Sequence, residues 1–107
     1  MDAAKPDFGR FTEPALLILV SLSDGPKHGY AIMQDVESGS GRPMGAGTLY
    51  AALARLEDQG LIEPLAPVDR RRPYRLSALG ASNLAEQLRG LSRFAEQGLR
   101  QLGERRS

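Results

Sequence analysis

The 107-residue chain contains no cysteine and no tryptophan, and it has a single histidine, His28. Without cysteine there is no disulfide framework and no thiolate metal site, and one histidine cannot build a His-rich metal site. The same shortage nearly excludes nucleophile–base pairs of the Cys–His or Ser–His kind. The carboxylates fall singly on polar faces. The glycine-rich stretch "GSGRPMGAG" lacks the preceding strand and the Lys-Ser/Thr ending of a phosphate loop. The expectation is a protein that is not an enzyme and carries no metal or other cofactor. Long apolar runs are missing as well. The longest, "ALLILV" at Ala15 to Val20, falls far short of the ~20 residues that span a bilayer. The opening "MDAAKPDFGR" lacks the charged-then-apolar layout of a signal peptide. The expected location is therefore the cytoplasm, with no membrane partner.

An excess of one charge is the last absence. Fourteen Lys and Arg oppose thirteen Asp and Glu, for a formal net charge of +1, so whole-chain charge does not announce a polyanionic partner. Its distribution is more telling. Arg70, Arg71, Arg72 and Arg75 fall within six residues, and such a cluster on a near-neutral chain can still form an electrostatic footprint. The hydrophobic fraction of 41% and charged fraction of 25% are ordinary for one globular domain and too apolar for intrinsic disorder.

The positive signals give an order of elements. Residues 1–11 read as a flexible N-terminal arm. Pro14 suits the first turn of a helix capped by Thr12 or Glu13. Leu16, Leu17, Leu19, Val20 and Leu22 make that helix apolar around most of its circumference, as befits a central core element, and "SDGP" at Ser23 to Pro26 stops it. A second helix covers about His28 to Glu37, with Tyr30, Ile32, Met33 and Val36 as its inner face. After the turn-rich "SGSGRPMG", a third runs from about Ala46 to Gln59. Leu49, Leu53 and Leu56 form its apolar stripe, and Gly60 stands where a left-handed cap is expected. Leu61 to Leu65 and Arg72 to Leu76 read as two short strands, with Pro64 and Pro73 implying edge positions. Ser77 caps a last helix from Ala78 to about Gly103, on the order of 40 Å long at the usual rise. Three helices, a hairpin and a long final helix are the order of a winged helix-turn-helix (residues 12–77) with a C-terminal dimerisation helix (78–107). Other small α+β folds share that order.

The third helix poses the functional question. Opposite its leucine stripe lie Gly47, Thr48, Ala51, Ala54, Arg55 and Asp58. A solvated helix face favours Lys, Glu and Gln, whereas small side chains let a helix sit close to another surface. The DNA major groove admits a helix, and a thymine methyl is a natural neighbour for alanine. The N-terminal half of the helix has no acid, which suits an end that meets a polyanion. Only Arg55 on this face can make a bidentate guanine contact. The competing reading is a helix buried against a protein partner. At the hairpin tip, Arg70, Arg71 and Arg72 would repel one another without a counterion, and phosphates supply one; an ordinary solvated charge run is the alternative. Lys27 is a further candidate phosphate contact. His28 reads as a partly exposed cap-region residue. In the last helix, Leu84, Leu88, Leu91, Ala95 and Leu102 are spaced 4, 3, 4 and 7, an a/d seam suited to pairing two copies. The helix is too long for its own domain to cover.

Three segments then resemble one family in order and spacing. They are "PKHGYAI", "GAGTLYAALARLEDQGLIE" and "RRPYRLSALG", and together they are similar to the PadR family of bacterial transcriptional regulators. The Gly29–Tyr30 pair opens the second helix, and Thr48-Leu49-Tyr50 starts the third. Arg55 to Glu57, Gly60, Leu61 and Ile62 follow it, and Tyr74 to Gly80 leads into the last helix. The resemblance covers about Thr12 to Gly80. It implies a winged-helix homodimer that binds operator DNA, often as a repressor, sometimes released by a small hydrophobic effector; the two-fold symmetry of such a dimer makes a pseudo-palindromic operator the expectation. It implies that Tyr50 touches backbone phosphate. The single final helix is similar to the family's short branch, in which an aromatic residue of that helix contributes to an effector site, and Phe94 is the aromatic residue available here. The expectation is thus a cytoplasmic, DNA-associated regulator located on the nucleoid when bound. A winged-helix module for protein–protein docking is the alternative.

Overall fold

The computed structural model describes residues 13–41 and 43–103; the expected arm, residues 1–11, and the Thr12 cap lie outside them. Helix α1 spans Pro14–Ser21, with Pro at its first position and Glu13 as an extended N-cap that makes no side-chain cap bond. The ring of Pro14 pre-sets a helical φ where the missing N–H has no helical partner anyway. A single 3-10 turn, Leu22–Asp24, and Gly25 at φ 142° end the helix and turn the chain. Strand β1, Lys27–His28, follows directly, then α2 at Gly29–Ser40. This helix runs three residues past its expected end at Glu37. Gly41 adopts φ 76° there and donates its N–H to the Glu37 carbonyl, a left-handed cap no side-chain-bearing residue takes cheaply.

Helix α3, Ala46–Asp58, packs across α1 and α2 with Leu49, Ala52, Leu53 and Leu56 buried. Its end is a Schellman closure: Leu61 N–H donates to the Leu56 carbonyl at 3.0 Å and Gly60 N–H to the Glu57 carbonyl at 2.9 Å, with Gly60 at φ 76°. Strands β2 (Ile62–Pro64) and β3 (Pro73–Leu76) form the hairpin, and α4 covers Ala78–Gln101. The sheet has three strands rather than the expected two, in the order β1-β3-β2, all antiparallel. Lys27 lies opposite Tyr74 and His28 opposite Pro73, while Ile62, Glu63 and Pro64 face Leu76, Arg75 and Tyr74. Pro64 is on an edge strand as expected, but Pro73 is not. It begins the central strand, which proline tolerates at a first residue, and its carbonyl still accepts from Leu65 N–H at 2.8 Å.

One core joins these elements. Ile18, Leu19 and Leu22 of the first helical segment meet Ile32 and Val36 of α2, the leucine stripe of α3 and Ile62 of β2. Leu84 of α4 belongs to the same cluster and is 4% exposed. Tyr30, expected inward, is 58% exposed. The buried stripe of α2 is Gly29, Ile32 and Val36, with Met33 half-buried beside it, and Tyr30 stands one step around the helix from that stripe. The arrangement is a winged helix-turn-helix, with α2 and α3 as the two helices, β2–β3 as the wing and α4 leaving the body at one end.

Candidate nucleic-acid interface

The residues singled out on α3 share one exposed surface. Gly47, Thr48, Tyr50, Ala51, Ala54, Arg55 and Asp58 are all exposed, while the stripe beneath them is closed. The N-terminus of this helix has Gly45 as its cap, no side-chain cap bond and no acidic residue in its first turn. Its first N–H groups therefore have no side-chain partner among the described residues, in a segment that carries no negative charge.

The wing stands beside this surface. Val68 and Arg71 exchange both backbone hydrogen bonds, at 2.7 and 2.9 Å, so Asp69 and Arg70 form a two-residue turn at the tip. Both have positive φ, 50° and 67°, the pattern of a type I′ turn, which usually takes Asn-Gly or Asp-Gly. Asp69 fits the preference. Arg70 occupies the second position with a Cβ, at a cost of ~1–2 kcal/mol relative to a right-handed conformation. Strain of this kind, kept at an exposed tip, points to a use for the side chain.

Arg71 and Arg72 turn back toward the body. Arg71 Nη1 lies 3.3 Å from His28 Nε2, and Arg72 Nη1 donates to the Leu65 carbonyl at 3.2 Å. Each guanidinium has five donors, so one contact leaves most of them for a ligand. Between the wing and the starts of α2 and α3 lies a cleft of about 360 Å³, lined by His28, Gly29, Tyr30, Tyr50, Arg70, Arg71, Arg72 and Tyr74. Burial, together with the nearby charge of Glu57, pushes the Tyr74 phenol above its ordinary pKa, so it stays a hydroxyl donor. Cationic and phenolic, such a cleft suits a sugar–phosphate backbone.

His28 is the half-buried cap residue of the sequence reading: its Nδ1 accepts from Ala31 N–H at 3.4 Å. Lys27 departs from its expected role. Its ammonium donates to Asp24 at 2.7 Å, to Asp35 at 2.8 Å and to the Ser21 carbonyl. Burial alone would lower its pKa, but the hydrogen bonds and charges of Asp24 and Asp35 outweigh it and hold Lys27 above the ordinary lysine value. Hydrogen bonds from Lys27 and then Ser21 hold Asp35 below the usual carboxylate range. The lysine ties α2 to the end of α1 and has no donor to spare for a phosphate. Arg75, fourth of the arginine cluster, pairs with Glu63 across the hairpin at 2.9 Å. The sequence reading missed Tyr30 and Tyr74 as cleft residues. The periodic stripe Gly29, Ile32, Val36 was the signal that would have turned Tyr30 outward.

The proposed seam on α4 divides. Leu84 is closed within the core and is not available to a partner, which corrects its assignment to the dimer interface. Leu91 is half-buried, whereas Leu88 at 40%, Ala95 and Leu102 at 80% are open to solvent. Phe94 is 74% exposed and flanks a shallow recess with Arg93 and Arg100. Among the described residues no group of His, Asp or Glu could hold a metal, and no helix is long and apolar enough to cross a membrane.

The sequence model of the transcriptional regulator PadR-like family matches residues 18–86, from the middle of α1 to just beyond Leu84. The chain belongs to the PadR-like family. The matched segment contains α3, the wing and the cleft between them, and it ends where α4 leaves the core. Family members are transcriptional regulators. Among curated proteins, the chain is 41% identical over 86 residues to an uncharacterised 37.1 kDa protein of a Streptomyces fradiae transposon. That match covers 80% of this chain and 25% of the relative, so the chain spans a quarter of that protein's length. Among solved structures it is similar to a PadR family transcription regulator from Clostridium difficile, at 27% identity and TM-score 0.71, covering 86% of this chain and 97% of that one. It is also similar to H. salinarum RosR, at 29% identity and TM-score 0.70, covering 82% and 81%. The PadR-like winged-helix fold therefore extends to both.

Proposed function

We propose that this PadR-like protein is a homodimeric, sequence-specific DNA-binding regulator that acts as a repressor. The observation that carries the reading is the bare exposed face of α3 beside a cleft lined by three arginines. In this reading α3 lies in the major groove, where Gly47, Thr48 and Ala51 permit close approach and Arg55 reads a guanine. Tyr50 and the wing arginines Arg70, Arg71 and Arg72 meet phosphates, while Lys27 is left out. Two copies pair through the α4 seam from Leu88 through Leu91 and Ala95 to Leu102. A two-fold dimer presents α3 twice, so the operator is a pseudo-palindrome with half-sites about one helical turn apart. A small hydrophobic effector would act at the dimer's α4 helices, where Phe94 is the exposed aromatic side chain.

Salt dependence tests the reading, because only phosphate neutralisation releases counterions in proportion to the contacts made. Binding to duplex DNA should weaken steeply with salt. In the variant Arg70→Ala/Arg71→Ala/Arg72→Ala it should weaken for all sequences alike, with the slope reduced by up to about 3 per subunit. Wild-type binding without a salt slope would favour protein–protein docking instead.

A further inference from the structure

Gly29 opens α2 and is buried. Its φ is not in the left-handed region that favours glycine, and alanine is the better helix former. Backbone conformation therefore gives no reason for glycine here. The neighbouring side chain does. A methyl group built on Gly29 would collide with the Tyr50 hydroxyl and would stand 2.9 Å from Cζ and 3.2 Å from Cε1. The three nearest heavy atoms all belong to Tyr50, so the missing side chain is the space that ring uses.

We infer that Gly29 is a positioning residue for Tyr50. By lacking a Cβ it lets the phenol lie against the start of α2, with its hydroxyl in the cleft that Arg71 and Arg72 line. There it donates to the DNA backbone that the same guanidiniums meet. This inference rests on the DNA-binding reading above and deepens it: the buried first residue of α2 sets the aim of a contact carried by α3.

The role is separable from folding. The crowded atoms are the far end of a side chain, which can swing outward. Gly80 offers the contrast, since a methyl there would run into the Leu61 backbone carbonyl, which cannot. Gly29→Ala should therefore fold and lose the aim of Tyr50.

The test is a double-mutant cycle of wild type, Gly29→Ala, Tyr50→Phe and the double variant. Each is titrated at low salt with a mixed-sequence duplex about two helical turns long, with melting followed by circular dichroism. Gly29→Ala should bind about tenfold more weakly, the loss expected for one hydrogen bond to a charged group. Tyr50→Phe should lose as much, and the double variant should bind no more weakly than Tyr50→Phe alone. Wild-type affinity in Gly29→Ala would overturn the inference. So would a double variant whose losses simply add, because Gly29 would then act independently of the hydroxyl. If Gly29→Ala melts early, Tyr50→Ala in the same chain should restore the melting temperature by vacating the space, and no restoration would overturn the inference. Absence of duplex binding by the wild type would overturn the DNA reading and this one together. Wild-type binding with an indifferent Gly29→Ala overturns this one alone.

Discussion

The first two turns of α4 and the rest of it are one continuous helix with one apolar spacing, yet they are held very differently. At the start, Ser77 Oγ donates to the Gly60 carbonyl at 2.6 Å and accepts from Gly80 N–H at 2.9 Å, while Ser77 N–H donates to the Leu61 carbonyl at 3.1 Å. Gly80 sits directly on Leu61, and Leu84 closes the core. From Leu88 onward, Leu88, Phe94, Leu99 and Leu102 are all exposed. The reason is length. The helix has 24 residues, about 36 Å at the usual rise, and the body beneath it ends after two turns. A stripe of leucines shows that a helix face will be covered. Whether the chain itself or a second molecule covers it depends on where the core stops. The wing repeats the lesson, since Arg75 is neutralised within the sheet by Glu63 whereas Arg70 is held out at the tip in a strained conformation.

Paired substitutions on α4 should separate its two parts with the largest effect. Leu84→Asp buries an unpaired carboxylate, at a cost of several kcal/mol, and should leave an unfolded chain by circular dichroism. Leu88→Asp places the same charge where the monomer is already half open. It should melt as a folded chain and shift the population to monomer by light scattering. If the two variants behaved alike, the helix would not divide as described.

A smaller effect is expected at the wing tip. Arg70→Gly relieves the positive φ and should raise unfolding stability by ~1 kcal/mol in a denaturant titration. The same change should weaken duplex binding if Arg70 is one of the proposed phosphate contacts. A variant both more stable and equally tight would move Arg70 to the ordinary solvated surface.

Much of the fold was legible because its signals are local. Pro14 at the start of α1, the Leu49–Leu53–Leu56 stripe, the Gly60 cap and the Ser77 cap each depend on residues within one or two turns. The parts that were not legible depend on partners distant in sequence. Strand β1 is two residues long, too short for any periodicity, and exists only because β3 is there to pair with it. Pro73 became part of a central strand for the same reason. Lys27 is the exception: Asp24 and Asp35 stand only three and eight residues from it, and what the sequence did not show is that the turn at Gly25 folds both carboxylates onto its ammonium. The α3 surface was legible as a set, since a helical stripe fixes its own opposite face. The cleft beside it was not, because Tyr30, Tyr50, Arg71 and Tyr74 come from three separate stretches of chain that meet only when the sheet forms.

If the bare face of α3 enters the major groove, duplex binding by Ala51→Glu should reveal it. Ala51 is exposed and stands clear of the leucine stripe, and glutamate is a good helix former, so melting and oligomeric state should match wild type. The added bulk and negative charge at the centre of the face should abolish binding to DNA. An Ala51→Glu protein that is folded, dimeric and binds duplex DNA as tightly as wild type would place α3 outside the groove.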